Sequence, residues 1–264
     1  MFIAELGVDD FNSYDLSSLR TGIMAGSPCP VEVMRQVIDR MNMSEVTIAY
    51  GMTETSPVST QTGKDDSIEK RVATVGRVLP HVEIRIADPD TGDTVERGVS
   101  GEFQTRGYSV MRGYWNEPEK TAAAIDADGW MHTGDLAVMD DEGYVNITGR
   151  IKDLIIRGGE NVSPREIEEY LYTHPDIVDV QVVGVPDARY GEEICAFVQA
   201  RPGSEVDTES VRAFCSGRIA HFKVPRYVIV VDEFPMTVTG KIQKYLLRET
   251  ATEHLGLEGF GSTA

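Results

Sequence analysis

Three short polar segments of the chain contain residue types suited to a phosphorylated ligand. The first, YGMTE at residues 50–54, follows an apolar segment typical of a β-strand. Loops at the carboxyl ends of strands are where α/β proteins bind ligands. The Thr53 hydroxyl can donate a hydrogen bond to phosphate, and the Glu54 carboxylate can bind Mg²⁺. The Tyr50 ring can stack against a purine. An ordinary turn is the competing interpretation of this pentapeptide.

Two further segments place one ionisable side chain beside a glycine. GWMHTGD, residues 129–135, ends on Asp135, whose carboxylate can accept two hydrogen bonds from a ribose diol. Taken alone, this segment favours an Asx turn instead. PMTVTGK, residues 235–241, ends on Lys241 but is not a Walker A loop, because Ile242 follows the lysine and the upstream glycine is missing. A solvated lysine is the alternative there.

A longer segment, ITGRIKDLIIRGGENVSPREIEEYL at residues 147–171, separates what the pattern indicates are two folded units. Arg150 and Lys152 precede a short apolar segment, and the pair Gly158 and Gly159 follows it. A plain strand-to-helix turn is one interpretation of the two glycines.

A helix is predicted to begin inside this segment. SPRE, residues 163–166, has the pattern of a capping box with proline at the first helical position. Val162 and Ile167 occupy the positions of a hydrophobic staple.

The composition is that of an acidic globular protein. The 264 residues carry a formal net charge of −18, which argues against general binding of nucleic acid or anionic membranes. Three cysteines without metal-ligand spacing argue against a disulfide framework or zinc site and favour a reducing compartment. The chain has no signal-peptide layout and no apolar run near the roughly 20 residues of a transmembrane helix, so a cytoplasmic protein is expected.

Periodicity predicts three kinds of structure along the chain. Residues 1–70 predict a strand, a helix and a strand at the end of an α/β sheet. Residues 71–149 predict a β-rich subdomain with one helical insert, either a distorted barrel or a sandwich. Residues 153–250 predict a small α+β domain, and residues 251–264 a loose tail. The expected fold class is thus α/β with a β-barrel remnant, followed by an α+β C-terminal domain.

The order of the motifs points to a family. YGMTE, TGD, GRIKDLIIRGGENVSPREIE and PMTVTGK follow one another as in the adenylate-forming (AMP-dependent synthetase/ligase) superfamily, and the chain closely resembles its fatty-acyl-CoA synthetase branch over residues 1–250. The resemblance implies an enzyme that uses ATP and Mg²⁺ to convert a carboxylate into an acyl-adenylate and pyrophosphate. The thiol of CoA then displaces AMP.

The same resemblance implies roles for the motif residues. Lys241 would reach the carboxylate and α-phosphate, Thr53 would bind phosphate, and Glu54 would bind magnesium. Asp135 and Arg150 would hold the ribose hydroxyls. The other residues expected to bind the nucleotide are Gly26, Ser27, Pro28, Tyr50, Gly51 and Met52.

The resemblance also explains the segment between the two predicted units. Residues 150–152 would form a hinge, with Lys152 as the position about which the small domain rotates. Lys241 would serve adenylation, and Gly158 and Gly159 would let the backbone approach the pantetheine arm of CoA in thioester formation.

One motif of the family is missing. Its upstream phosphate loop, a Ser/Thr/Gly-rich run ending in Pro-Lys, does not occur before residue 50, so the chain is expected to be the C-terminal half of a ligase. Expected partners are a fatty acid or other carboxylic acid, ATP, CoA and a complementary N-terminal half, but no nucleic acid. The alternatives are a non-catalytic remnant or interaction module, and another adenylating branch such as a peptide-synthetase adenylation domain or a luciferase.

Overall fold

Two compact units make up the chain, Met1–Thr148 and Gly149–Ala264. The computed structural model describes residues 1–26, 30–238 and 240–257. Ser27, Pro28 and half of the predicted tail, residues 258–264, lie outside the described residues. None of the described helices is long and apolar enough to cross a membrane.

The first unit contains two sheets and four helices among its described residues. Its elements are α1 (Phe2–Leu6), β1 (Thr21–Met24), α2 (Val31–Arg40), β2 (Glu45–Tyr50), β3 (Thr60–Gln61), α3 (Ile68–Ala73), β4 (Arg77–Val78), β5 (Val82–Ala87), β6 (Gly101–Gly107), α4 (Pro118–Ala124), β7 (Met131–Met139) and β8 (Val145–Arg150).

The first sheet has the order β1-β2-β3-β4, and its β1–α2–β2 segment confirms the predicted parallel unit. Helix α2 forms because its apolar residues recur at helical spacing, and it buries Met34 and Val37 completely. Strands β3 and β4 were not predicted. Each is two residues long, too short for a periodic signal.

The second sheet has the order β5-β6-β7-β8, in which each strand pairs with the next along the chain. Its described strands form an open sheet that does not close into a barrel, which agrees with the β-barrel remnant predicted for this region. Phe103 and Ile147 from this sheet share one buried cluster with Met34 and Val46 of the first sheet and its helix. The two sheets of the unit are therefore fixed to each other by a common core.

The second unit is built on a five-stranded sheet. Its elements are β9 (Ile155–Arg157), β10 (Glu160–Val162), α5 (Pro164–Leu171), β11 (Ile177–Asp187), β12 (Gly191–Ala200), α6 (Thr208–Cys215), β13 (Tyr227–Val230) and α7 (Lys244–His254). The strand order is β10-β9-β12-β11, and β13 pairs in parallel with β12.

Both faces of this sheet are covered, because successive side chains of a strand point to opposite faces. Val180 and Val182 pack in the cluster that contains residues of α5 and α6, whereas Val183 and Val185 pack with α7. Helix α7 was not predicted, since it buries only Leu247 and Ala251 on a largely polar helix. It extends to His254, which corrects the prediction that the loose tail begins at residue 251.

Helix α5 begins where the sequence predicted, but without the predicted capping box. Pro164 is its first residue, and the Ser163 side chain makes no capping hydrogen bond. The Glu166 carboxylate instead accepts two hydrogen bonds from Lys223 Nζ at 2.7 and 2.6 Å. Both staple positions, Val162 and Ile167, are fully buried.

Candidate functional site

The YGMTE segment is a tightly folded loop that leaves the end of β2. A Cβ on Gly51 would lie 1.7 Å from the Pro57 carbonyl oxygen, so only glycine fits there. The buried Thr55 hydroxyl accepts from the Met52 amide at 3.0 Å and lies 3.1 Å from the Pro57 oxygen. The loop is thus fixed internally, and it presents Thr53 at the surface.

Glu54 is held at two points. Its carboxylate accepts a hydrogen bond from the Tyr114 hydroxyl at 2.8 Å, and its carbonyl oxygen accepts one from the Met111 amide at 2.8 Å. The hydrogen bond to Glu54 raises the pKa of the Tyr114 phenol. The described residues contain no group of three or more His, Cys, Asp or Glu side chains that could hold a metal ion.

A magnesium ion at Glu54 would therefore need oxygen ligands from the substrate. Mg²⁺ is commonly bound through one or two carboxylates, substrate phosphates and water. A single half-buried carboxylate on a loop fits that arrangement.

Asp135 lies in a β-bulge and not in the predicted turn. The β6–β7 register runs from Glu102 opposite Leu136 to Gln104 opposite His132, so residues 133–135 of β7 face the single residue Phe103 of β6. Gly134 has a φ of +69°, a left-handed conformation that favours glycine. The bulge turns Asp135 inward, where it is 7% exposed.

Tyr50 and Asp135, which are 85 residues apart, meet at this bulge. The Tyr50 hydroxyl donates to Asp135 Oδ2 at 2.5 Å, and the Tyr50 ring packs edge-on against Phe103 with centroids 5.0 Å apart. The structure therefore brings the YGMTE and TGD motifs together within the first unit. Gly26 is exposed, with a φ of +88° after β1.

A polar network behind the bulge was missed by the sequence analysis. Glu102 accepts from the Gly134 amide at 3.0 Å and from Gln104 Nε2 at 2.8 Å, and its Oε2 lies 2.8 Å from His132 Nδ1. Glu102 and Gln104 are 7% and 1% exposed. Two polar residues at alternate strand positions were the available signal, because such residues face the same side of a sheet.

In the second unit, Gly158 and Gly159 form the two-residue turn of the β9–β10 hairpin. The alternative interpretation, in which the two glycines connect a strand directly to a helix, is therefore wrong. Their φ values are +61° and +89°, and Arg157 pairs with Glu160 across the turn. A two-residue hairpin turn with positive φ at both positions favours glycine. The Gly158 amide donates to the Tyr190 carbonyl at 2.8 Å, and Arg157 forms an ion pair with the buried Glu193.

Lys241 is exposed at the end of a short loop. The Thr237 amide donates to the Lys241 carbonyl at 2.8 Å, and the Lys241 amide donates to the Thr237 hydroxyl at 3.0 Å. An antiparallel bridge between Met236 and Ile242 closes the loop. These hydrogen bonds hold the backbone at Thr237 and Lys241, and they do not involve the Lys241 ammonium group.

Arg150 and Lys152 lie just after Thr148, the last residue of the first unit, and strand β8 extends two residues past that boundary. Arg150 is the exposed last residue of β8. Lys152 is exposed in the single 3₁₀ turn Ile151–Asp153 that follows.

Two family models match the chain. The AMP-binding enzyme model matches residues 1–115, and the model of the AMP-binding enzyme C-terminal domain matches residues 166–241.

Among curated proteins, "Putative acyl-CoA synthetase YngI" of Bacillus subtilis (strain 168) is 59% identical over 97% of this chain and 47% of its own length. "Medium-chain acyl-CoA ligase ACSF2, mitochondrial" of Bos taurus is 50% identical over 97% of this chain and 42% of its own length. The chain thus spans about half the length of the curated relatives it matches.

Solved structures of similar fold include the amide bond synthetase McbA from Marinactinospora thermotolerans. It has a TM-score of 0.86 and 35% identity, over 95% of this chain and 50% of its own. The anthranilate CoA ligase AuaEII in complex with anthranoyl-AMP has a TM-score of 0.87 and 29% identity, over 97% of this chain and 49% of its own.

Proposed function

Because the chain belongs to the AMP-binding enzyme family, we propose that it supplies the nucleotide-facing and thiol-facing part of an ATP-dependent ligase that joins a fatty acid to CoA. The observation that carries this proposal is the contact between Tyr50 and Asp135, which brings two motif segments to one place. The fatty-acid class rests on the resemblance of residues 16–30 to that branch and on the names of YngI and ACSF2.

Asp135 is proposed to bind the ribose. An ionised carboxylate has about four lone-pair sites, so it can accept from Tyr50 and from ribose hydroxyls together. Arg150 would donate to the same hydroxyls. Gly26, Ser27, Pro28, Gly51 and Met52 would line the adenine beside Tyr50.

In the first step, a carboxylate oxygen of the fatty acid attacks the α-phosphorus and the bond to pyrophosphate breaks. Two anions meet, so the barrier falls where positive groups and hydrogen-bond donors are already in position. Lys241 would neutralise charge at the carboxylate and α-phosphate, and Thr53 would donate to a phosphate oxygen. Mg²⁺, held by Glu54 together with phosphate oxygens, would supply further charge neutralisation.

In the second step, the CoA sulfur attacks the acyl carbon and AMP leaves with the electron pair of the broken bond. Gly158 and Gly159 expose backbone without side chains, so the pantetheine arm could approach closely there. Rotation about Lys152 would exchange Lys241 for this hairpin between the two steps. We place the reaction in the cytoplasm.

ATP–pyrophosphate exchange with a panel of fatty acids tests this proposal. The chain would be assayed alone and with the part of YngI that it does not match, as wild type and as Lys241→Ala. We expect exchange that depends on Lys241, falling about 10²–10³-fold in the variant, the loss typical of one electrostatic group. Exchange that persists in Lys241→Ala, or no acyl-CoA from a soluble complemented pair, would contradict the proposal.

A non-catalytic interaction module is the second candidate function. Limited proteolysis separates the two. A stable core that begins near Asp153, with the first unit digested, supports the module, whereas protection of both units by ATP supports the ligase.

A further inference from the structure

We propose that Glu102 is a positioning residue for Asp135, holding the bulge in the shape that aims the ribose-binding carboxylate. The inference rests on the proposed function for the role of Asp135, while the role of Glu102 comes from its contacts. Glu102 is not part of any of the four motif segments that predicted the site.

The bulge is closed from both sides by side-chain hydrogen bonds. On one side the Thr133 hydroxyl donates to the Phe103 carbonyl at 2.6 Å and accepts from the Asp135 amide at 3.1 Å. On the other side Glu102 Oε1 accepts from the Gly134 amide at 3.0 Å. The backbone on either side of the Cα of Gly134 is thereby fixed, and with it the direction in which Asp135 leaves the strand.

Glu102 uses its second oxygen to anchor itself. Oε2 accepts from Gln104 Nε2 at 2.8 Å and lies 2.8 Å from His132 Nδ1, which donates when it carries the proton. Gln104 is in turn fixed by Arg85, whose Nε donates to Gln104 Oε1 at 2.7 Å. The carboxylate therefore links the bulge amide to a buried network that extends to β5.

A carboxylate is required here because donors approach both of its oxygens. A glutamine has one acceptor oxygen and one donor group. In Glu102→Gln, the new NH2 group must face either the Gly134 amide or Gln104 Nε2, both of which are donors. The link from the bulge amide to the buried network is therefore broken in either orientation. The substitution preserves shape and volume, so it tests hydrogen bonding with little change in packing.

The binding experiment combines the variant with a change in the ligand. The 264-residue chain would be titrated with ATP and with 2′,3′-dideoxy-ATP, which lacks the hydroxyls that Asp135 would recognise. We expect Glu102→Gln to weaken ATP binding about tenfold, a free-energy change of ~1.4 kcal/mol, and to leave dideoxy-ATP binding unchanged. In an Asp135→Ala background, Glu102→Gln should have no further effect on ATP binding.

Glu83→Gln is the matched control. Glu83 is an exposed residue of β5 that pairs with Arg106, so the chemical change is the same but the bulge is not touched. Equal loss for both nucleotides in Glu102→Gln would indicate general damage and overturn the inference. Ribose selectivity that is lost in Asp135→Ala but kept in Glu102→Gln would overturn it while leaving the proposed function intact.

Amide hydrogen exchange tests the role of Glu102 independently of nucleotide binding. We expect the Gly134 amide to exchange about tenfold faster in Glu102→Gln than in wild type and Glu83→Gln, with the β5–β6 amides unchanged. Failure of the wild-type chain to bind ATP would count against the proposed function only. An unchanged Gly134 rate would overturn the role of Glu102.

Discussion

Asp135 and Lys241 are held in opposite ways. Asp135 is 7% exposed in a bulge closed by two side chains, and it accepts a hydrogen bond from Tyr50. Lys241 is exposed on a short loop whose hydrogen bonds, among the described residues, fix the backbone. The difference suits the proposed reaction, because the nucleotide must stay bound through both steps whereas the lysine acts in only one.

The largest expected effect on stability is that of Gly51→Ala. The new methyl group would meet a backbone oxygen at 1.7 Å, so the loop after β2 must open. We expect the free energy of unfolding of the first unit to fall by at least about 3 kcal/mol. Urea unfolding followed by tryptophan fluorescence measures it, since both tryptophans, Trp115 and Trp130, belong to this unit.

Gly92→Ala is the control for Gly51→Ala. Gly92 also belongs to the first unit and has a φ of +77°, but a Cβ there would meet nothing within 4 Å. We therefore expect the free energy of unfolding to fall by only about 1–2 kcal/mol, the cost of placing alanine in a left-handed conformation. Equal losses in the two variants would show that the loop after β2 is not tightly constrained.

Asp135→Ala should have the next largest effect. It removes the carboxylate that accepts from the half-buried Tyr50 hydroxyl at 2.5 Å, and a donor left without its acceptor in such a site costs up to about 3 kcal/mol. Tyr50→Phe removes that donor, so the double variant should lose less than the sum of the two single losses. Additive losses in urea unfolding would mean that the two side chains do not interact in solution.

The contrast between the two sites also explains what the sequence could predict. Motif order singled out Tyr50, Asp135 and Lys241 as candidates, since each lies in a short contiguous segment. It did not predict that Asp135 lies in a bulge, because bulge formation depends on pairing with a strand some 30 residues away along the chain.

The same limit applies to the fold. Periodic or continuous apolar residues predicted α2, β2, β11 and β12, the last from the apolar run 194–198. The sequence pattern missed α7, whose apolar face contains few residues, and it predicted a capping box at α5 that is replaced by an ion pair with Lys223. Glu102 was missed because alternating polar residues on a strand indicate only a shared face of the sheet and not the groups that they contact.

Gly158→Asn tests whether the hairpin glycine serves the fold or the ligand. Asparagine tolerates positive φ, and Asn-Gly is a preferred turn for a two-residue hairpin. A Cβ at position 158 would lie 3.2 Å from a carbon of the Tyr190 ring, so the ring must shift slightly. We expect the free energy of unfolding of the second unit to change by no more than about 0.5 kcal/mol. Thioester formation from a supplied acyl-adenylate should fall about tenfold or more, because an added side chain displaces the pantetheine arm.

Unfolding of the second unit can be followed through its thiols. Burial raises the pKa of Cys195 to about 12 and that of Cys215 to about 11, so neither reacts as a thiolate near neutral pH until the unit opens. A Cys29→Ser background removes the remaining cysteine. If Gly158→Asn destabilises the unit by several kcal/mol and thioester formation falls in proportion, the glycine serves the fold.

The smallest expected effect on stability is that of Lys241→Ala. Because the Lys241 side chain is exposed, we expect the free energy of unfolding of the second unit to change by no more than about 0.5 kcal/mol. The reaction rate of the buried thiols measures this change. Lys223→Ala is the matched control, since Lys223 pairs with Glu166 at 2.6 Å and should cost more. A larger loss for Lys241→Ala than for Lys223→Ala would assign the Lys241 ammonium a structural role. A negligible loss, beside a 10²–10³-fold loss of pyrophosphate exchange, would mean that this lysine serves the reaction and that the loop folds without it.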